Sequence, residues 1–238
     1  SCIIMREVAV TYPLVLSTLF AVRWVTGERL RDMLWCLLCL LVSSGFHTGA
    51  VAGFAAVSLL LVAKWNSAVL ARRYRGLARQ TLSLLTATAV IGLIVVTGWG
   101  LSKLEGLPSG PSLAGVTEFL GTASRGRTAY LGSVVLRSPV DILRQLPLRM
   151  VYFLFAPFVW SRLSLQDLPG VVDAALYVGL AALILRSRSR LLLNRGARVV
   201  ALVLRVVAGM FALGTSNYGT GLRHRSKVAP LMIIVAAV

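Results

Sequence analysis

Long apolar runs, separated by short polar and mostly basic connections, set the pattern of this chain. Residues 33–63 contain no Asp, Glu, Lys or Arg, and neither do residues 80–102. A helix crossing the hydrocarbon core needs roughly 20 mostly apolar residues. Both runs reach that length and are too long for core strands. Lipid offers the backbone no hydrogen-bond partners, so these segments predict helices that satisfy their own N–H and C=O groups. The apolar–polar alternation of a β-barrel is not the pattern here. The predicted fold class is all-α: a polytopic transmembrane helical bundle of about six to seven spans, with an interfacial helix in an outer loop.

Residues 7–25 predict the first span, and 26–32 a short polar connection. As one helix, residues 33–63 would measure roughly 46 Å, which overshoots the bilayer. Their middle, Ser43-Ser44-Gly45-Phe46-His47-Thr48-Gly49, is rich in small polar residues. It divides the run into two short helices, 30–44 and 48–64, with a turn recessed below the membrane surface. Non-helical backbone is tolerated at that depth where protein buries it or it lines a cavity. A basic stretch, 64–79, leads to a fourth span, 80–103.

Residues 105–167 predict a mostly extramembrane stretch, opened by the loop signal Gly106-Leu107-Pro108-Ser109-Gly110-Pro111. Within it, residues 141–160 start amphipathic and end aromatic, as a helix lying along or dipping into the surface would. A fifth span, 168–185, a basic loop, 186–198, a sixth span, 199–215, and a polar turn, 216–227, follow. The start at Ser1 and the short apolar close at 229–238 suggest a piece of a longer membrane protein. Three regions result: N-terminal transmembrane helices 1–104, a loop region 105–167 and C-terminal transmembrane helices 168–238.

Charge sets the orientation. The chain holds 25 Lys and Arg against 8 Asp and Glu, a formal +17. Nucleic acid is not an expected partner, because the basic residues bracket apolar spans and form no separate patch. With 64–79 in the cytoplasm, the basic loops 23–32 and 186–198 fall on the same side, as the positive-inside rule requires. Arg6, His47, the long loop and Arg223-His224-Arg225 then share the outer face. Cys36 and Cys39 form a C-x-x-C inside an apolar run and predict packing residues rather than a metal or redox pair.

Several residues carry candidate chemistry on that outer face. Arg6 and Glu7 open the first span, either as an interfacial ion pair or as an anion-binding arginine beside a carboxylate. His47, in the recessed turn, is either a satisfied interior residue or a proton acceptor. The strongest cluster is Arg223, His224, Arg225 and Lys227, on the side expected to be poor in positive charge. Arginine grips phosphate through paired hydrogen bonds, so a lipid-linked diphosphate fits this cluster; anionic headgroups are the alternative. Asn217, Tyr218, Asp141, Arg144 and Arg149 are further possible substrate contacts. Arg205, inside the sixth span, is expected to snorkel towards the cytoplasm. Paired carboxylates, a metal-ligand cluster and a nucleophile motif are not evident, so no cofactor or metal is expected.

Met5-Arg6-Glu7 opening a span, Gly45-Phe46-His47 after a short helix, and Phe155-Ala156-Pro157-Phe158-Val159-Trp160 resemble features of the EpsG/Wzy-type oligosaccharide repeat-unit polymerases. Asn217-Tyr218-Gly219-Thr220 with Arg223-His224-Arg225 resembles their late turn. The likeness is scattered over most of the chain, in order. It implies a multi-pass glycosyltransferase of the bacterial inner (cytoplasmic) membrane that joins units carried on undecaprenyl diphosphate at the periplasmic face. On that reading Arg6, Arg223, His224, Arg225 and Lys227 hold the diphosphate, and His47 or Glu7 accepts the proton of the attacking hydroxyl. A related transferase using a polyprenyl-phosphate sugar, a polysaccharide ligase, or a lipid-linked sugar transporter are the alternatives. Membrane lipids are expected partners; sugar identity and oligomeric state stay open.

Overall fold

The computed structural model describes residues 2–70, 81, 117, 118, 121, 124, 127–131, 138–160 and 164–238. The predicted fourth span, the basic residues 72–79 and most of 105–137 lie outside them, as does the Arg6 side chain. The described residues are helical, with a single isolated bridge between Ala129 and Asn217. They form two compact units: residues 1–102 with 190–207, and residues 103–189 with 208–238.

The first unit is built on α1 (Cys2–Gly27), α2 (Leu30–Phe46) and α3 (Ala52–Leu70). Helix α1 ends where Glu28 adopts a positive φ of 56° and its N–H bonds back to Trp24 O at 2.9 Å, closing the last turn in the left-handed manner. Helix α2 packs antiparallel-linked to α1 through Val10, Leu14, Leu37 and Leu40, all buried. Ser43 Oγ donates to Val10 O at 2.8 Å across this pair. The break predicted at 43–49 is present: α2 stops at Phe46, His47 is extended, and a 3-10 turn, Thr48–Val51, leads into α3. Helix α3 then runs past Lys64, where the sequence suggested an end. Lys64 is spent on the end of α1: its Nζ reaches Trp24 O at 3.4 Å, Val25 O at 3.3 Å and Glu28 at 3.5 Å.

The second unit gathers α4 (Pro139–Phe155), α5 (Leu168–Arg186) and α8 (Tyr218–Ala236), which pack on one another. Between α5 and α8 in sequence come α6 (Arg188–Leu193) and α7 (Arg195–Leu213). Asn194 separates those two; its Oδ1 accepts the Ala197 N–H at 3.1 Å, an N-cap that starts α7 before the apolar residues begin. Helix α4 starts at a reciprocal cap in which Ser138 Oγ accepts Asp141 N–H and Asp141 Oδ2 accepts Ser138 N–H.

Three helices among the described residues are long and apolar enough to cross a membrane: Glu7–Gly27, Leu165–Arg186 and Arg195–Leu213. Gly49–Lys64 is apolar but shorter, and α2 has 17 residues. The break at His47 and the 3-10 turn divide one long apolar run between them. The expected polar turn at 216–227 is corrected: Asn217 caps a helix by accepting Gly219 N–H at 2.8 Å, and that helix continues to Ala236. Gly221, Arg225, Val228, Leu231, Met232 and Val235 line its buried face. The polar composition hid this stripe because two of its inward residues, Arg225 and Lys227, are cationic.

Candidate functional site

Among its described residues the second unit buries three cations, Arg149 on α4 and Arg225 and Lys227 on α8. Burying an ion costs several kcal/mol unless partners replace its water. The partners decide what each can do.

Arg225, fully buried, is spent on the fold. Its Nη1 donates to Leu154 O at 2.7 Å and its Nη2 to Ala156 O at 2.6 Å. These are carbonyls at the C-terminal end of α4, where the helix has no N–H left to offer. Its Nε lies 3.5 Å from Asp173 Oδ2 on α5, and its guanidinium lies 5.4 Å from the Tyr177 ring centre. One side chain thus ties α4, α5 and α8 together.

Arg149 differs. It is 1% exposed, and no carboxylate pairs with it among the described residues. Its Nε donates to Gln145 Oε1 at 3.3 Å and its Nη1 to Ser216 Oγ at 3.4 Å, while Nη2 has no hydrogen-bond partner among the described residues. Burial lowers the pKa of this guanidinium from its ordinary value, yet an arginine stays charged. The buried hydroxyl of Tyr130 also has no hydrogen-bond partner. Burial pushes its phenol up, against the opposing pull of Arg225 and Arg149. Two buried donors and unneutralised positive charge are the elements of an anion site.

A short strap holds Tyr130 there. Tyr130 N–H donates to Ser216 O at 2.9 Å, and Tyr218 N–H donates to Thr128 O at 3.0 Å. Arg127 grips Asp167 with both terminal nitrogens, at 2.5 and 3.0 Å. Asp167 also accepts from Tyr218 Oη at 2.6 Å and from Ser164 N at 2.8 Å. Hydrogen bonding to this carboxylate holds the Arg127 pKa above its usual range. From Tyr130 a row of rings leads outward through Tyr152, Phe158 and Trp160, with centres 5.1, 5.1 and 4.8 Å apart in turn.

The remaining sequence candidates fall as follows. Lys227 lies 5.6 Å from the Phe211 ring centre, and His224 Nδ1 is 3.3 Å from Thr215 Oγ1. Arg223 is exposed. Asn217 and Asp141 serve as helix caps, and Tyr218 joins the Asp167 network. Glu7 and His47 belong to the first unit; His47 Nδ1 accepts the Gly49 N–H at 3.0 Å. Cys36 is buried on α2, and Arg205 is exposed on α7. Tyr130, Ser216, Asp167 and Arg127 were not singled out from the sequence: no local motif marks them, and their partners lie far away in the chain. Among the described residues no group of three His, Cys, Asp or Glu side chains is placed to hold a metal ion. Set against protein-family models, curated proteins and solved structures, the chain matches none.

Proposed function

We propose that the chain works as a membrane glycosyltransferase of the polymerase kind, joining oligosaccharide units carried on a polyprenyl diphosphate. The observation that carries this reading is Arg149, buried, charged and, among the described residues, unmatched by a carboxylate and with one guanidinium nitrogen unpartnered. A phosphate would offer acceptors to that nitrogen and to the Tyr130 hydroxyl, and would neutralise the buried charge. As the glycosidic bond to the diphosphate breaks, negative charge grows on the leaving oxygen, and fixed donors in a dry site stabilise it. The aromatic row from Tyr152 to Trp160 supplies flat faces against which the C–H side of a sugar ring packs. The resemblance in the sequence supplies the lipid carrier, the periplasmic face of the bacterial inner membrane and the six to seven spans.

The test compares Arg149→Ala and Arg149→Lys with the unaltered full-length protein in cells that depend on it for surface polysaccharide. Loss of one charge-assisted hydrogen bond to a buried phosphate is worth about 1.5–3 kcal/mol, or roughly 10- to 150-fold in affinity. Arg149→Ala should collapse polymer length, and Arg149→Lys should restore only part of it, because an ammonium lacks the planar fork. Polymer of unchanged length from folded Arg149→Ala protein would exclude the reading.

A further inference from the structure

The exposed face of helix α4 is mostly apolar, unlike that of a helix on a water-exposed surface. Its outward positions are Val140, Leu143, Arg144, Pro147, Leu148 and Val151, all exposed. They recur at the spacing that builds one face of a helix. Leu143 is 69% exposed and Leu148 49%. At 3.6 residues per turn, Arg149 sits diametrically opposite the middle of that face, shut inside the unit with Gln145 beside it. The outward face of α4 is therefore mostly apolar, while its inward side holds Arg149 and Gln145 together with the buried Phe153.

Neighbouring surface says what covers it. Helix α4 packs on α5, whose outward Leu168, Val172 and Leu176 are also exposed and which is apolar and long enough to span a bilayer. The chain between them presents Trp160, 79% exposed, a residue favoured at the headgroup level. The one charged residue in the stripe, Arg144, has a stem long enough to stay in hydrocarbon while its guanidinium reaches headgroup phosphates. An apolar face on a helix that packs against a neighbour apolar and long enough to span a bilayer, with an exposed indole in the following chain and a cation in the stripe, matches the acyl–headgroup boundary of a bilayer with anionic lipid.

We propose that α4 is embedded in the membrane interface, with Val140, Leu143, Leu148 and Val151 against lipid acyl chains, Arg144 at anionic headgroups and Arg149 facing the protein interior. Lipid contact at α4 and phosphate binding at Arg149 are read by separate experiments, and either can fail alone.

The full chain is reconstituted in vesicles of phosphatidylethanolamine and phosphatidylglycerol. Cys2, Cys36 and Cys39 are replaced by Ala, and a nitroxide is attached at Leu143→Cys, Leu148→Cys or Val151→Cys. Labels at Leu176→Cys and Ser189→Cys give the lipid and water references. The expected result is a several-fold preference for collision with oxygen over a water-soluble nickel chelate, matching Leu176→Cys. Accessibility like that of Ser189→Cys overturns the proposal; it is also the result if a protein partner, absent from the vesicles, covers this face in the cell. The unaltered chain provides a second reading by hydroxyl-radical oxidation in the same vesicles. Leu143 and Leu148 should be oxidised no faster than Leu176, and several-fold faster oxidation overturns the proposal without any substituted variant.

Discussion

Replacing Arg225 by Met separates a brace from a ligand-binding group. Methionine keeps much of the volume but removes both donors to Leu154 O and Ala156 O. Each buried carbonyl left without a partner costs about 1–3 kcal/mol. The loss of attraction to Asp173 adds less, because that carboxylate is one-third exposed at 34% and water screens the pair. The losses share one side chain and do not simply add, so the net effect is about 3–5 kcal/mol. For a chain of this size 1 kcal/mol moves the midpoint by about 2–4 °C, which puts Arg225→Met about 10 °C below the unaltered protein. The assay is thermal unfolding of the purified chain in detergent, followed by tryptophan fluorescence. Arg225→Lys should fall between the two, since a single ammonium cannot reproduce the fork that bridges two carbonyls. An Arg225→Met protein that melts with the unaltered one but no longer binds a diphosphate lipid would refute the reasoning and assign Arg225 to the ligand.

Arg149→Met should show the reverse balance. Removing a buried charge that lacks a carboxylate partner should leave the melting midpoint equal or higher, while protection of the protein by added diphosphate lipid disappears; a large fall in the midpoint contradicts this. Asp167→Ala should release the strap and speed hydrogen exchange at amides 128–130, where Tyr130 N–H is held by Ser216 O, and unchanged exchange contradicts the latch. Arg127→Ala should have a smaller effect on the same amides, since Arg127 is half exposed and Asp167 keeps its bonds to Tyr218 and Ser164. A Cβ at Gly53 would lie 2.3 Å from Leu40 Cδ2, so Gly53→Ala should destabilise the first unit by about 1–3 kcal/mol. Leu40→Ala in the same chain should recover part of that loss, and strict additivity in thermal unfolding would contradict the contact.

Much of the helical layout was legible along the chain because lipid imposes a one-dimensional rule: length and apolarity together. The break at 43–49 and the start of α5 were visible in this way, through small polar residues in one case and a return to unbroken apolarity in the other. Helix α8 was not. Its first half carries Arg223, His224, Arg225 and Lys227, and composition alone reads such a stretch as a turn. Its helix depends on an Asn217 cap and on partners for Arg225 that lie about seventy positions earlier in the chain. The candidate site was legible only in part: the sequence put the Arg223–Lys227 cluster first and Arg149 only among further possible contacts, whereas Arg149 is the buried arginine without a carboxylate partner among the described residues.

By itself, the sequence determined that the described chain is helical, that several of its segments suit a bilayer and that positive charge is concentrated near their ends. Those properties follow from transfer energies of residues taken one at a time or in short windows. Tertiary structure alone decided which cation braces the fold and which is left, among the described residues, without a carboxylate partner. That choice depends on where distant carbonyls and carboxylates lie: Arg225 meets Leu154 O, Ala156 O and Asp173, whereas Arg149 meets Gln145, Ser216 and, among the described residues, no counter-charge. Two arginines with the same intrinsic chemistry acquire different roles because, in a low-dielectric interior, partners within hydrogen-bond reach set the energy of a charge.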